Sequence, residues 1–348
     1  MCSERSGSNL LRCIFDAHPD VYAPNTMALG HLCANYYGRL SGQGQSEWKQ
    51  LVSEVARRVN DSTFYAGVSV SENELLNNIE INDVSGLYFY PYLKGMKLTN
   101  AKRVMIKEHQ AWRIAPFFLK SFPGGKIIIQ VRDPRDHAVS CKRLGKIYEA
   151  YHGSVLRAAR MWKNDQTGAS QIMETFGQEL VRVHRYEDLV RQPQETLLRI
   201  CEFVGLDWRA EMLEFYKAEE LRKRSTDKYL HNMWANLDRP ITGSRVGRWR
   251  ESLGSCEQRL VEREAGELIQ RFGYDSAIKN TNSRSSVFCR SYEFGSVVRY
   301  LAVTAGIWLA WIAATGDFSV PHNVVFGNAI RGHNPYERFR DRIGYRII

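Results

Sequence analysis

The chain has 348 residues, 44% of them hydrophobic and 25% charged, with a formal net charge of +10. These fractions belong to a globular protein with a large core and exclude disordered, collagen-like and low-complexity chains. The basic balance favours anionic ligands or surfaces without choosing among a nucleotide, an acidic glycan, an anionic lipid and nucleic acid. Seven cysteines are scattered without a Cys-x-x-Cys pair, which argues against a zinc site and for free, mostly structural thiols in a reducing compartment. The first residues show no basic-then-apolar leader, so a cytoplasmic location is expected.

In chain order, Ser3-Glu4-Arg5-Ser6-Gly7-Ser8-Asn9-Leu10-Leu11 runs into an amphipathic helix whose apolar positions are Leu10, Leu11, Ile14 and Phe15. Gly7 lets the backbone approach a ligand, and Ser6, Ser8 and the opening amides can donate hydrogen bonds to an oxyanion. Arg5 adds a fixed positive charge. Residues 46–60 form a second helical stretch, with Trp48, Leu51, Val52, Val55 and Val59 on one side. From Asp83 to Asn100 the pattern dissolves into Gly, Tyr, Pro and Lys, which reads as a substrate-facing loop or insertion. Its Tyr88, Phe89, Tyr90 and Tyr92 either line an acceptor pocket or simply pack, and packing is the plainer reading.

Arg103 to Lys107 is a predicted strand and Ala111 to Ser121 a helix. Ile127 to Val131 is a β-branched run of the kind found in buried parallel strands. It ends at Arg132, after which Asp133 as N-cap and Pro134 as first helical residue begin the next helix. A long helix over Val155 to Phe176, a strand over Val181 to Arg185 and a helix from Pro193 to Val204, closed by Gly205, complete the pattern. Connections of this length imply a doubly wound α/β fold: a mainly parallel sheet with flanking helices, its ligands at the carboxyl ends of the strands.

After Tyr274-Asp275 the character changes. Three segments are expected: a domain over 1–275, a polar linker over 276–296, and a C-terminal extension over 297–348. Within the extension, residues 300–316 carry no charge and fall just short of the roughly 20 residues that cross a bilayer. Arginines flank this run on both sides, so charge gives no orientation. A buried or interfacial helix is the simpler reading and a membrane contact the alternative.

The two loops, one at each end of a nucleotide phosphorylated at both its 3' and 5' positions, resemble those of the sulfotransferases that use 3'-phosphoadenosine-5'-phosphosulfate (PAPS). The first is similar to that family's 5'-phosphosulfate loop. Arg132-Asp133-Pro134-Arg135-Asp136, with Ser140 a helical turn later, is similar to its 3'-phosphate segment. Tyr186-Glu187-Asp188-Leu189, and the late basic loop Ser244-Arg245-Val246-Gly247-Arg248-Trp249-Arg250, add further matches in the family's order, spanning Ser3 to about Tyr274. An ordered set of this kind is far more specific than one Arg-Ser-Gly-Ser. The resemblance implies a P-loop-like fold in which a short apolar strand precedes the first loop. Here only Met1 and Cys2 stand before Ser3, so the first strand is expected to be missing or to lie upstream.

The resemblance also implies roles. Arg5, Ser6, Gly7, Ser8 and Asn9 would take the 5'-phosphosulfate. Arg132, Ser140 and Arg245, Gly247 or Arg248 would take the 3'-phosphate, and Tyr186 would touch the adenine. Sulfuryl transfer needs an oriented donor, a base for the acceptor proton and cations near the leaving oxygen, with no metal where side chains supply the charge. Arg5 would supply that charge. Lys107-Glu108-His109 matches in spacing a family Lys-x-His whose His is the base and whose Lys attends the transferring group. Glu108 and His31 are the alternative bases. Trp249 is expected to pack beneath the nucleotide, and His137 to be a surface or packing residue. The expected product is 3'-phosphoadenosine-5'-phosphate (PAP). The acceptor is a hydroxyl or amine on a glycan, lipid or small metabolite, and no nucleic-acid partner is expected. Two other readings stay open: a P-loop nucleotide phosphotransferase, although the loop lacks the Gly-Lys-Ser/Thr that such enzymes use, and a catalytically impaired binding relative.

Overall fold

The computed structural model describes residues 3–27, 29–37, 44–60, 67–108, 111–145, 154–217 and 237–276, with Cys289, Tyr292 and 295–298 beyond them. The chain divides into two compact units, Met1–Arg132 with Gly168–Ser244, and Asp133–Thr167 with Arg245 onward. The apolar run at 300–316 and most of the polar linker lie outside the described residues.

The first unit is α/β. Among the described residues, strands β1 (Val21–Tyr22) and β2 (Arg103–Val104) pair in parallel, as do β3 (Ile127–Val131) and β4 (Val181–Arg185), giving two two-stranded sheets. In β3 every residue but Ile128 is buried, as a strand covered on both faces requires. Helix α1 (Ser8–Asp16) lays Leu11, Ile14 and Phe15 into a core shared with Leu189, Leu197, Ile200, Met212 and Phe215. Three elements supply those partners: the helix Tyr186–Arg191, α10 (Pro193–Val204), which ends at left-handed Gly205, and the 3-10 turn Ala210–Lys217. Helix α3 (Gln45–Asn60) buries all five of the apolar residues expected on its inner side.

Residues 83–100 form no loop. They form helix α5 (Val84–Leu98), begun by the Asp83 carboxylate accepting from the Gly86 amide at 2.9 Å. Its period is obscured because the helix is apolar on several sides, as a buried helix can be, and because it contains Pro91, Gly86 and Gly95. Gly95 has a packing reason: a Cβ there would stand 2.3 Å from the Tyr22 ring of β1. Tyr88, Phe89 and Tyr92 are buried. Phe89 meets Tyr88 and Phe122 edge-on at 4.7 and 4.8 Å and stacks on Phe117 at 5.8 Å, so these aromatics pack. The strand expected over 103–107 shortens to β2, and the helix over 111–121 becomes a 3-10 turn (Ala111–Arg113) followed by α6 (Ala115–Ser121). The remaining helices placed here are α2 (Leu29–Tyr37), α4 (Glu72–Asn78) and α9 (Tyr186–Arg191).

The second unit centres on α7 (Pro134–Gly145) and the first half of α8 (Val155–Leu180), a helix interrupted at Gly177 by φ +70°. Three more follow: α11 (Trp249–Ser252), α12 (Ser255–Ala265) and α13 (Leu268–Arg271). Ala138, Cys141, Leu156, Ala159, Trp249, Leu260 and Val261 make its core. Within that core Arg135 is 4% exposed, and its guanidinium is matched by Asp133 at 2.8 and 2.9 Å and Glu262 at 2.7 Å. Asp133 also accepts from the Arg135 amide at 2.8 Å, which is the expected capping role.

The expectation of free thiols throughout needs correction. Cys256 of α12 is disulfide-bonded to Cys289, with Cα atoms 5.0 Å apart, whereas Cys13, Cys33, Cys141 and Cys201 are buried thiols. The bonded pair lies 33 positions apart in the sequence, and only the folded chain brings them within bonding reach.

Glu262→Ala would leave the Arg135 charge buried with Asp133 as its remaining carboxylate. Loss of a partner from a buried ion cluster should lower stability by about 2–3 kcal/mol, measured by denaturant or thermal unfolding against the parent. Glu262→Gln, which keeps an acceptor, should lose less.

Candidate active site

The amino-terminal loop is held from behind by its carbonyl groups. The Gln130 amide on β3 donates to the Ser6 carbonyl at 2.8 Å, and the Arg132 guanidinium donates to the Arg5 carbonyl at 3.1 Å. The Ser3 carbonyl accepts from the Ser6 amide, and the Gly7 carbonyl accepts from the Leu10 and Leu11 amides. With the carbonyls so engaged, the amides of the first turn of α1, at Ser8 and Asn9, have no acceptor within the helix. They and the positive end of the helix dipole face the position an anion would take.

Two residues of this loop sit in left-handed backbone: Gly7 at φ +89° and Arg5 at φ +63°. The second is costly for a residue with a side chain, and such outliers concentrate at ligand clamps. Gly7 has a steric requirement besides: a Cβ there would lie 2.4 Å from the Tyr186 ring. Ser6 is 1% exposed, and its hydroxyl has no hydrogen-bond partner among the described residues. A buried donor is expensive to leave unpaired, so the loop fits an oxyanion ligand such as a phosphosulfate. Gly7, Ser6, Ser8 and Asn9 are the residues that would hold it.

Beneath the loop, β4 hands Tyr186 to the start of α9. Tyr186 is 7% exposed, and the Arg132 guanidinium lies 4.7 Å from its ring centroid. The first unit thus brings together Arg5, Ser6, Gly7, Ser8, Asn9, Arg132 and Tyr186. The residue that sequence reasoning missed is Gln130, whose signal was a polar side chain inside an otherwise apolar strand run.

In the second unit, the late basic loop is tied to α7. The Asp136 carboxylate accepts from the Gly247 amide at 2.6 Å and from the Trp249 amide at 2.9 Å. Gly247 takes φ +76°. Trp249 is 6% exposed, and the Arg135 and Arg250 guanidinium groups lie 4.0 and 4.5 Å from its ring centroid. Ser140 is half-buried on α7, and Arg245 and Arg248 flank the turn at Gly247. His137 is fully buried with its ring 3.8 Å from the Cys141 sulfur, which makes it a packing residue.

The base candidates divide unequally. His109 lies outside the described residues, and of the His31 side chain nothing is described. Lys107 is 6% exposed and Glu108 is 2% exposed. Glu108 accepts from Tyr92 Oη at 2.8 Å, Thr26 Oγ1 at 3.2 Å and the Leu29 amide at 3.4 Å, so its carboxylate anchors the start of α2 to α5. Burial raises its pKa above the usual carboxylate value, against the opposing pull of the Tyr92 hydroxyl and the Lys107 charge. Among the described residues, no cluster of three or more His, Cys, Asp or Glu side chains could hold a metal ion, and no helix is long and apolar enough to cross a membrane.

The chain belongs to the sulfotransferase family, whose description matches residues 1–210. It is 23% identical over 282 residues to the protein-tyrosine sulfotransferase A of Caenorhabditis elegans, a match covering 78% of this chain and 65% of that protein. The nodulation protein NoeE of Sinorhizobium fredii (strain NBRC 101917 / NGR234) is 23% identical over 306 residues, covering 81% of this chain and 67% of that one. Among solved structures, the sulfotransferase domain of the Synechococcus PCC 7002 olefin synthase superposes with a TM-score of 0.51 at 21% identity, covering 79% of this chain and 93% of that domain. The sulfotransferase domain of the curacin biosynthetic pathway gives the same TM-score at 18% identity, covering 79% of this chain and 96% of the domain. These two likenesses establish the doubly wound α/β sulfotransferase fold.

Two outcomes follow from this geometry. Gly7→Ala should abolish tight binding of an anion at the loop, because the new methyl meets the Tyr186 ring in a backbone conformation that disfavours it. Calorimetric titration with PAP should show a loss of at least about tenfold, whereas Ser8→Ala should cost less. Because the folded pKa of Glu108 is raised, the native state binds the proton more tightly. Its contribution should therefore fall as pH rises from the ordinary carboxylate range through the raised value. The difference in melting temperature between the parent and Glu108→Gln, followed from acid to neutral pH, should shift against the parent as pH rises.

Proposed function

We propose that the protein transfers a sulfuryl group from PAPS to a hydroxyl or amine acceptor. The observation that carries the reading is the loop at Arg5–Asn9, with its carbonyls tied back, its first-turn amides presented and the Ser6 hydroxyl buried without a partner among the described residues. PAPS would supply an activated sulfuryl group. In an in-line transfer the acceptor oxygen or nitrogen forms a bond to sulfur as the bond from sulfur to the 5'-phosphate oxygen breaks, leaving PAP. The acceptor's proton passes to the base.

Arg5 is assigned to the charge that grows on the leaving oxygen, an interaction strengthened only in the transition state. Ser6, Gly7, Ser8 and Asn9 orient the phosphosulfate, and Arg132 holds the 3'-phosphate with the planar bidentate geometry that lysine lacks. Tyr186 is assigned to the adenine. Ser140, Arg245, Gly247 and Arg248 carry over the family's remaining phosphate contacts by motif alone. His109 is assigned as base and Lys107 as its companion cation, because Glu108 is already engaged on both carboxylate oxygens.

The test is ligand-dependent stability of the full chain. PAP should raise the melting temperature by binding the native state, while ATP and ADP, without a 3'-phosphate, should do so far less. Equal shifts with ATP and PAP would instead favour a nucleotide phosphotransferase. Arg5→Ala should still bind PAP yet lower turnover of PAPS with an acceptor by about 10²- to 10³-fold. PAP binding with no turnover in the parent across hydroxyl and amine acceptors would identify a binding protein.

A further inference from the structure

We propose that the first unit carries a separate pocket, between β4 and α10, for a small organic anion: a carboxylate, phosphate or sulfate head on a short apolar body. The pocket has a volume of about 260 Å³, more than a bare inorganic oxyanion fills. Arg182, Val183 and His184, consecutive on β4, all line it. Thr196 and Arg199 enter from α10.

The polar groups in this pocket are poorly served by the protein itself. Thr196 is 2% exposed and its hydroxyl has no partner among the described residues. Neither ring nitrogen of His184 meets a partner of good geometry there, its polar neighbour being the Arg185 backbone. Burial lowers the imidazole pKa to about 4, so at neutral pH the ring is uncharged and has one N–H to donate. Native proteins seldom leave such groups unmatched unless a ligand or water completes them.

The mouth supplies the charge. Arg182 stacks on the Phe203 ring with its guanidinium 4.9 Å from the centroid, which preorganises it. Arg199 is 55% exposed and makes one long contact, 3.5 Å, with Glu195. The carboxylate that also lines the pocket, Asp188, accepts from Arg185 at 3.0 and 3.2 Å, so its charge is offset. Ile128, Val183, Ile200 and Phe203 form apolar walls, which suit a hydrocarbon body and not a bare ion. His184 is the register partner of Gln130, whose amide holds the Ser6 carbonyl. The pocket therefore adjoins the strand that supports the amino-terminal loop without sharing the loop's donors.

The experiment is calorimetric titration of the full chain with hexyl phosphate, with and without saturating PAP, and with inorganic phosphate and 1-hexanol as controls. Saturable one-site binding of hexyl phosphate is expected, unchanged by PAP and stronger than for either control. Thr196→Val keeps the buried shape, and Arg199→Ala alters an exposed residue. Each should weaken binding about fivefold or more while leaving the melting temperature of the free protein close to the parental value. Displacement of hexyl phosphate by PAP would place the probe in the loop and overturn the proposal. So would absence of saturable binding, equal binding of 1-hexanol, or parental affinity in both variants.

Discussion

The first unit depends on one constraint: the loop between Ser3 and Asn9 must turn its amides outward, so its carbonyls must be taken up behind. Gln130 and Arg132, two residues apart at the end of β3, do this for Ser6 and Arg5. Because Gln130 sits on a paired and buried strand and Arg132 directly follows it, the loop inherits the rigidity of the sheet. Position is what an anion site requires most, since misplacement by a fraction of an ångström weakens several hydrogen bonds at once. The register of β3 against β4 then brings Tyr186 beneath Gly7. The glycine is thus demanded twice, by backbone conformation and by the ring below it.

Buried charge is handled alike in both units. In each, a titratable group is surrounded by partners before it is surrounded by apolar side chains. Arg135 meets two carboxylates and an indole face, and Glu108 meets two hydroxyls and a backbone amide. The difference lies in the sign of what is left over. Arg135 keeps its charge because its hydrogen-bond partners are anionic, whereas those of Glu108 are neutral, and burial raises its pKa despite the nearby Lys107 charge. A carboxylate so disposed is well suited to pinning α2 to α5. It is poorly suited to accepting a proton from an outside substrate, which would have to displace Tyr92 or Thr26.

Much of this was legible in the sequence where one local rule sufficed. The β-branched run of β3, the Asp133-Pro134 start of α7, the Gly205 stop of α10 and the apolar side of α3 each follow from period, capping or turn chemistry, and the structure has them within a residue or so. The order of the loop motifs was legible only through the resemblance to the sulfotransferases. What stayed hidden required knowledge of the third dimension. Helix α5 has no clean period because it is buried on several sides, and its glycine is placed by Tyr22 from a distant strand. Cys256 and Cys289 carry no mark of their pairing, and Gln130 reads as an oddity until the Ser6 carbonyl is seen against it.

Arg132 illustrates how far motif reasoning carries and where geometry must take over. By motif it is a phosphate ligand and nothing else. In the structure its guanidinium also donates to the Arg5 carbonyl and lies over the Tyr186 ring, so one side chain supports the loop, the base-side aromatic and the assigned 3'-phosphate contact together. A residue with three partners cannot be removed without moving the others, and free energies measured for it and for Arg5 will not add. In the proposed transfer, loss of Arg132 would disturb the backbone that aims Arg5 and would therefore reach the transition state as well as the bound donor. The division into an affinity residue and a rate residue, natural from the sequence, thus gives way to a coupled pair in which the left-handed backbone of Arg5 is held in place by the residue assigned to the far end of the nucleotide.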